Sequence, residues 1–504
     1  MPITVREMRV LETNCIGLGI PLRMLMETAG ANVARVVEER ISPKDADNIV
    51  IMIGKGGNGG DGVVAARYLS SRGYNVTILP AYPLELIEHP DTKANLEIVK
   101  RLESVKIAKP GDESILKDAD IIIDGLLGTG VKGELRDPIK SFVEEANTSK
   151  AKLKIAIDTP TGLNPDTGEV HGVAFKADIT VTFHDVKPGL LKRRDLVGEI
   201  IVANIGIPRE ALLYVGPGDY IHLIPQKPRD AHKGVGGRIV VIGGSKYYTG
   251  APALVGMAAL ATGADLAFII VPETVRNIVA SYSPELITYP VRGEWLKPEH
   301  VDEILNYITR AKAHVVALGN GIGAEPETIE FVRELIPKLI EKNILVVMDA
   351  DALKAVRYGM DKFSWKAILT PHRGEFKKIT ALDLTGNPHK DYKIVVEASK
   401  KLEATILLKA PIDIIAYGDR YKFNKTGNPG MSIGGTGDAL VGIVSALYAK
   451  SRDPFIAASV GAYLCGLAGD YAMKIEDTIP SPMNIIRVLP RILNNILDIH
   501  TKLY

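Results

Sequence analysis

With 504 residues, 46% of them apolar and 24% charged, the chain is long enough for roughly two to four domains and has a globular composition. Sixty-one basic against 60 acidic residues leave a formal charge of +1, which gives no electrostatic basis for nucleic acid or an anionic membrane as partner. Cys15 and Cys465 are the only cysteines, so a disulfide framework is excluded, and the N-terminus lacks the basic-then-apolar layout of a signal peptide; a reducing, cytoplasmic location is expected.

Along the chain, PLRMLMETAGANVARVVEER (21–40) reads as a helix. Short apolar runs follow at 48–53, 75–79, 119–124, 152–158 and 178–183, most of them separated by amphipathic stretches. Such runs predict a parallel sheet covered on both faces. The pattern lapses over the Gly- and Pro-rich segment 214–237, which reads as an interdomain connection. It restarts at 238–244, 264–271, 314–319, 343–351, 366–371 and 404–409, followed by a hairpin over 412–424 and helices over 435–450 and 454–475. The membrane-like stretch 251–270 contains Asp265 and reads as a buried helix running into a strand. The expectation is two α/β domains, 1–220 and 221–504.

The segment GKGGNGG (54–60) satisfies G-x-G-x-x-G after a strand and before a helix. A dinucleotide fingerprint also wants an acid about 20 residues on. The second strand ends TILPAYPLE, with no acid before Glu85, and Asn58 and Asp61 sit inside the turn, which argues against a hydride-transfer dehydrogenase. Asp124 and Asp158 end two further strands, each followed by a Gly-rich turn. On one edge of a parallel sheet, Asn58, Asp124 and Thr161 could together hold a hard cation through oxygen. Taken singly, each is an ordinary strand-end cap or turn residue.

GKGGNGGDG, DGLLGTGVKGE and DTPTGLNPDTG resemble the signature segments of the NAD(P)H-hydrate epimerase family, the YjeF N-terminal domain. The resemblance spans about 5–215 and implies a Rossmann-like, three-layer fold that interconverts the R and S hydrates of NADH and NADPH. It implies substrate phosphate on Gly57, Asn58, Gly59, Gly60 and Asp61. Further substrate contact falls on Gly128, Thr129, Gly130, Val131, Lys132, Gly133 and Glu134, potassium on Asn58, Asp124 and Thr161, and an acid/base role on Asp158. The family's D-V-P-S-G is DTPTG here, which keeps a hydroxyl at Thr161, and the first of its two loop asparagines is Gly57. Lys132 and Lys187 are the cations that could partner Asp158; both are read as surface lysines.

The strongest motif is NPGMSIGGTGDALVG (428–442), with Gly434, Gly435 and Gly437 before an apolar helix and Asp438 at its opening. Backbone N–H groups there suit phosphate, and the carboxylate can accept a hydroxyl proton. The alternative is a flexible loop with Asp438 as a helix cap. G-T-G-D resembles the ribokinase-like α/β/α fold. With HKGVGGRIVVIGGSKYYTGAPAL (232–254), LGNGIG (318–323), MDADAL (348–353) and TPHRGEF (370–376), it is similar to the NAD(P)H-hydrate dehydratase family over about 225–500. That likeness implies removal of water from the S hydrate driven by ADP or ATP with Mg²⁺. Asp438 is the implied base, and Ala251, Gly321, His372 and Asp438 the substrate contacts. Nucleotide contacts fall on Lys409, Ala410, Pro411, Ile412 and Asp413 and on the three glycines. Asp349 and Asp351 are read as helix caps, with a role near Mg²⁺ or phosphate as the alternative. The likeness also implies a homo-oligomer. Two rivals stay open: a ribokinase-like kinase of small alcohols fused to a nucleotide-binding domain, and a binding-only sensor or scaffold.

Overall fold

Every second residue of the first strand faces the same way, and the two sides find different helices. Ile51 and Ile53 touch Gly62 of the helix Gly57–Ser71, whereas Val50 and Met52 share a core cluster with Phe142, Val143 and Ala146 of the helix Ile139–Thr148. A strand apolar on both sides can be stable only between two helical layers. This is the organisation of the first of two compact units, Met1–Pro208 and Arg209–Tyr504. The computed structural model describes residues 2–130, 133–228, 230, 232 and 234–504.

In the first unit the strands are β1 (Ile49–Ile53), β2 (Val76–Pro80), β3 (Val105–Ile107), β4 (Ile121–Gly125), β5 (Leu153–Ile157), β6 (Ile179–Phe183) and β7 (Glu199–Ala203). They form one parallel sheet in the order β3-β2-β1-β4-β5-β6-β7. The fold is Rossmann-like. The order reverses between β1 and β4, and the crevice beyond their carboxyl ends is where open α/β sheets bind ligands. Gly54 closes that crevice tightly: a Cβ there would lie 1.9 Å from the Leu126 carbonyl oxygen.

The second unit holds β8 (Arg238–Ile242), β9 (Leu266–Pro272), β10 (Leu286–Val291), β11 (Val315–Leu318), β12 (Leu345–Met348), β13 (Ala367–Leu369), β14 (Thr405–Leu408), β15 (Asp413–Tyr417) and β16 (Arg420–Asn424). Their order is β10-β9-β8-β11-β12-β13-β14-β15-β16, parallel as far as β14 and antiparallel after it. Ile239, Val241, Val315, Ala317 and Val347 join one cluster with the helices Gly250–Ala261, Thr436–Ser451 and Pro454–Lys474. Val240, Ile242, Val316, Leu318 and Met348 join another with the helices Val301–Ala311 and Pro326–Glu341. Each fully buried side chain of this kind contributes about 1.5–3 kcal/mol. The result is a ribokinase-like α/β/α layer arrangement, with its own order reversal between β8 and β11.

The division falls at Pro208/Arg209. Residues from 209 to 220 pack on the second unit: the Val215 N–H donates to the Phe423 carbonyl, and Tyr220 joins that unit's core. The connection read over 214–237 therefore begins inside the second unit, where it includes the helix Pro217–Leu223; Arg229, Ala231 and Lys233 lie outside the described residues. The stretch 251–270 is a helix followed by β9, as read. Pro454–Lys474 is long and apolar enough to cross a membrane, but 94% of its apolar window is buried in the protein, as expected of a core helix.

Candidate active sites

At the edge of the first sheet, the turns after β4 and β5 are locked together by Asp124 and Thr161. Asp124 is fully buried. Its Oδ2 accepts from the Thr161 N–H at 2.8 Å, and its Oδ1 from the Leu126 N–H at 3.1 Å. The Thr161 hydroxyl lies 2.8 Å from Asp124 Oδ1 and accepts from the Leu127 N–H at 3.0 Å. Burial pushes the Asp124 carboxyl up to about 6, against the lowering pull of these hydrogen bonds. Asn58 sits against Gly128, and its amide nitrogen is buried without a partner among the described residues. The three residues expected to share a cation thus lie on neighbouring turns.

A cavity of ≈ 400 Å³ opens beside them, lined by Gly57, Asn58, Asp61, Gly128, Thr129, Gly130 and Asp158 among others. Gly59 and Gly60 stand behind it as buried residues of the first helical turn. Gly133 and Glu134 do not line it, and Val131 and Lys132 lie outside the described residues.

Asp158 follows β5 with a left-handed backbone, φ +61°, a strained state for a non-glycine residue that is characteristic of functional positions. Its Oδ1 accepts from the Phe183 N–H at 3.1 Å and the Thr182 hydroxyl at 3.2 Å, and it pairs with Lys187. Lys187 is no surface residue: it is fully buried, and its Nζ also donates to Thr182 Oγ1 at 3.1 Å and to the Phe183 carbonyl at 3.0 Å. The reading failed because a lysine 29 positions along the chain from Asp158 is brought back by the β5–β6 pairing, which local sequence does not display. Lys187→Met is expected to destabilise the first unit by about 3–5 kcal/mol, the cost of leaving a buried charge unpaired, read as an earlier midpoint in denaturant unfolding.

Sequence reasoning also passed over the helix Val5–Gly17, which brings Met8, Arg9 and Glu12 to the cavity. A signal was present: Thr4 and Glu7 form a reciprocal capping box, with the Glu7 N–H donating to Thr4 Oγ1 at 3.2 Å and the Thr4 N–H to Glu7 Oε2 at 2.9 Å. Burial, and then the Asp158 charge, raise the Glu12 carboxyl to about 7; burial and the same neighbour also raise Asp61.

The second sheet presents a denser network. Asn320, after β11, donates from Nδ2 to Asp438 Oδ1 at 2.7 Å and to Asp349 Oδ2 at 3.3 Å. Asp349 Oδ1 accepts from Lys409 Nζ and from the Thr370 hydroxyl, each at 2.7 Å. Asp349 stands at the N-cap of the short 3-10 helix Ala350–Ala355, as read, but makes no side-chain cap bond, its carboxylate turning to the sheet edge; Asp351 lies inside that helix and does not cap it. Asp351 accepts from the Gly323 N–H at 3.2 Å and pairs with Lys354. Burial lifts the Asp438 carboxyl to about 6, with Asp349 adding to the rise and Asn320 and Lys409 opposing it. Desolvation alone would lower Lys409; the Asp349 charge outweighs it and the ammonium is held above its ordinary range.

Gly435 starts the helix Thr436–Ser451 with φ +94°, which puts Asp438 in its first turn. A second cavity, ≈ 480 Å³, is lined by Lys409, Ala410, Pro411, Asp413, Thr436 and Gly437, with the loop 426–429 opposite. Asp413 is fixed by the Ala410 N–H at 2.9 Å and Asn424 Nδ2 at 3.0 Å, and burial raises it to about 6. Ile412 instead packs against the core, and Gly434 and Gly435 form the turn without lining this cavity. A Cβ on Gly321 would meet Tyr248 at 2.8 Å and Ala251 at 3.3 Å, so these two expected contacts are neighbours. His372 caps the helix Arg373–Thr380, its Nδ1 accepting from the Gly374 N–H at 3.0 Å, and its side chain is 59% exposed. Asn320 and Thr370 were missed; the polar residue inside LGNGIG and the threonine that follows β13 were the available signals.

Comparison with known proteins agrees with this two-site layout. A family model described as NAD(P)H-hydrate dehydratase matches residues 239–491, and one described as YjeF-related protein N-terminus matches 22–189. The bifunctional NAD(P)H-hydrate repair enzyme of Hyperthermus butylicus is 40% identical over 98% of this chain and 93% of that protein. That of Pyrobaculum aerophilum is 42% identical over 97% and 98%. The chain belongs to the bifunctional NAD(P)H-hydrate repair enzyme family. Among solved structures, a ribokinase-like superfamily protein from Enterococcus faecalis is 26% identical, covering 56% of this chain and 95% of its own, with a TM-score of 0.49. Both halves of the repair-enzyme family's layout are therefore present, the YjeF-related match within the first compact unit and the dehydratase match within the second.

Proposed function

We propose that the first unit interconverts the R and S hydrates of NADH and NADPH, and that the second dehydrates the S hydrate at the expense of ADP or ATP. The observation that carries the reading is the presence, in one chain matched end to end by repair enzymes, of a carboxylate placed for proton transfer in each unit: Asp158 after β5, lining the first cavity, and Asp438 in the first turn of the helix Thr436–Ser451, held by Asn320.

In the second unit, Asp438 takes the proton of the C6 hydroxyl as that oxygen attacks the terminal phosphoryl group, whose anhydride bond breaks with its electron pair leaving on AMP (from ADP) or ADP (from ATP). The glycine turn and helix N-terminus hold the charge that develops. The C6–O bond then breaks with its electron pair leaving on phosphate, the nitrogen lone pair forms the C6–N double bond, and loss of a C5 proton restores the dihydronicotinamide. The nucleotide occupies the cavity beside Lys409, Asp413 and Gly437. Mg²⁺ accompanies its phosphates, as this ion usually does; among the described residues there is no group of three or more His, Cys, Asp or Glu that could hold a metal.

In the first unit, Asp124, Thr161 and Asn58 fit a potassium ion. The donor set is oxygen, and the unpartnered Asn58 amide, once turned over, offers its carbonyl. Such an ion would neutralise Asp124 and hold the three turns in place. Cys15 and Cys465, both free and buried, fit a cytoplasmic setting. The homo-oligomer implied by the resemblance is checked by light scattering on the purified chain.

The test is a mixture of NADH hydrate epimers with Mg²⁺, K⁺ and either ADP or ATP, followed by recovery of the dihydronicotinamide absorbance. Full recovery that depends on one nucleotide supports both activities and names the donor. Recovery that stops at the S fraction counts against the epimerase half. No recovery with either nucleotide overturns the reading.

A further inference from the structure

Inversion at C6 of the hydrate needs one group to take a proton and another to supply one, and Asp158 accounts for one of the two. Resting on the epimerase reading above, we propose that Glu12 is the second catalytic residue of the first unit: it donates a proton to the ring nitrogen while Asp158 takes that of the hydroxyl.

Glu12 projects from the helix Val5–Gly17 into the same cavity as Asp158, Asn58 and Thr129. The two carboxyls are held differently. Asp158 receives Thr182, Phe183 and Lys187, whereas among the described residues none donates a hydrogen bond to the Glu12 carboxyl. The charged groups that face Glu12 are Asp158, Lys187, Arg9 on its own helix and Asp61 on the helix Gly57–Ser71. Burial and the Asp158 charge lift Glu12 to about 7, so near neutral pH a large share of molecules carry a proton there. A protonated carboxyl beside one held by two hydrogen bonds and a lysine can divide acid and base duties.

The step balances as follows. Asp158 removes the hydroxyl proton, the oxygen lone pair forms the C6=O bond of an aldehyde, and the C6–N1 pair moves onto nitrogen, which takes the Glu12 proton. Rotation about C5–C6, for which the ≈ 400 Å³ cavity leaves room, presents the other face. N1 then attacks the carbonyl carbon, returning its proton to Glu12, while the oxygen recovers a proton from Asp158. Both groups end as they began. Loss of water and its return on the other face would instead leave their protons exchanged, with a neutral acid beside the buried Lys187 ammonium.

The experiment follows conversion of purified R hydrate to S by chromatography, without nucleotide so that the second unit is idle, for the wild-type chain, Glu12→Gln and Glu12→Asp from pH 5 to 9. The wild-type rate is expected to fall as pH rises past about 7. Glu12→Gln should lower kcat by about 100-fold, the scale of a lost general acid, with KM little changed and the alkaline fall abolished; Glu12→Asp should restore part of the rate and a displaced fall. A Glu12→Gln enzyme with wild-type rate and pH profile overturns the proposal. So does an equal loss in both variants with the profile's shape unchanged, which marks a structural role. A wild-type chain that does not accelerate the conversion overturns the epimerase reading itself.

Discussion

Asp438→Asn is expected to abolish nucleotide-dependent recovery of the S hydrate and to leave R-to-S conversion at its wild-type rate. The expected loss is about 10²- to 10⁴-fold in kcat, the range for removal of a positioned general base. The amide is the same size and can still meet Asn320 through its oxygen, so the helix Thr436–Ser451 keeps its place and the change is one of proton affinity. The same base sets a pH limit. Its carboxyl is raised to about 6, so it works as the anion above that value, and the dehydration rate should fall as pH drops below about 6. Stopped assays with purified S hydrate between pH 5 and 8 check both statements. A variant that dehydrates at the wild-type rate would remove Asp438 from the mechanism.

Asp158→Asn is the mirror experiment. R hydrate should then be consumed no faster than it epimerises spontaneously, while S hydrate is repaired normally; the loss in catalysed epimerisation is again about 10²- to 10⁴-fold. The substitution also removes the charge that Lys187 meets in a fully buried position, so an earlier unfolding midpoint should accompany it. Chromatographic resolution of the two epimers during turnover is the measurement. Undiminished use of R hydrate in the presence of nucleotide would show that another group performs the proton transfer.

The central strands of both sheets were legible because burial on both faces demands uninterrupted apolar runs such as IVIMI and RIVVI. Edge strands lack that demand. β3 is VKI with Lys106 exposed, and β7 is EIIVA with Val202 nearly half exposed, so neither stands out from its surroundings. The glycine turns and the acids that end β4 and β5 were legible because backbone approach and strand-end position are local properties. The partners of those acids were not. Lys187 reaches Asp158 and Lys409 reaches Asp349 only through tertiary pairing. Thr182 left a fainter trace: it is one of two fully buried threonines in β6, and it spends its hydroxyl on Asp158. The Asp349 reading caught the cap position and missed the carboxylate's partners, since an acid before a helical turn usually caps it, whereas Lys409, Thr370 and Asn320, all distant in the chain, hold this one.

Each unit closes its own hydrophobic clusters, yet the two are one polypeptide. They are synthesised in a fixed one-to-one ratio, whatever the expression level. On the proposed reading, the first reaction is a freely reversible exchange between mirror forms at one carbon, and the second is driven forward by cleavage of a phosphoanhydride. Joining them at constant stoichiometry makes the exchange drain in one direction, because the form that the second half consumes is continually replaced. A cell carrying this chain cannot make the drain without the supply.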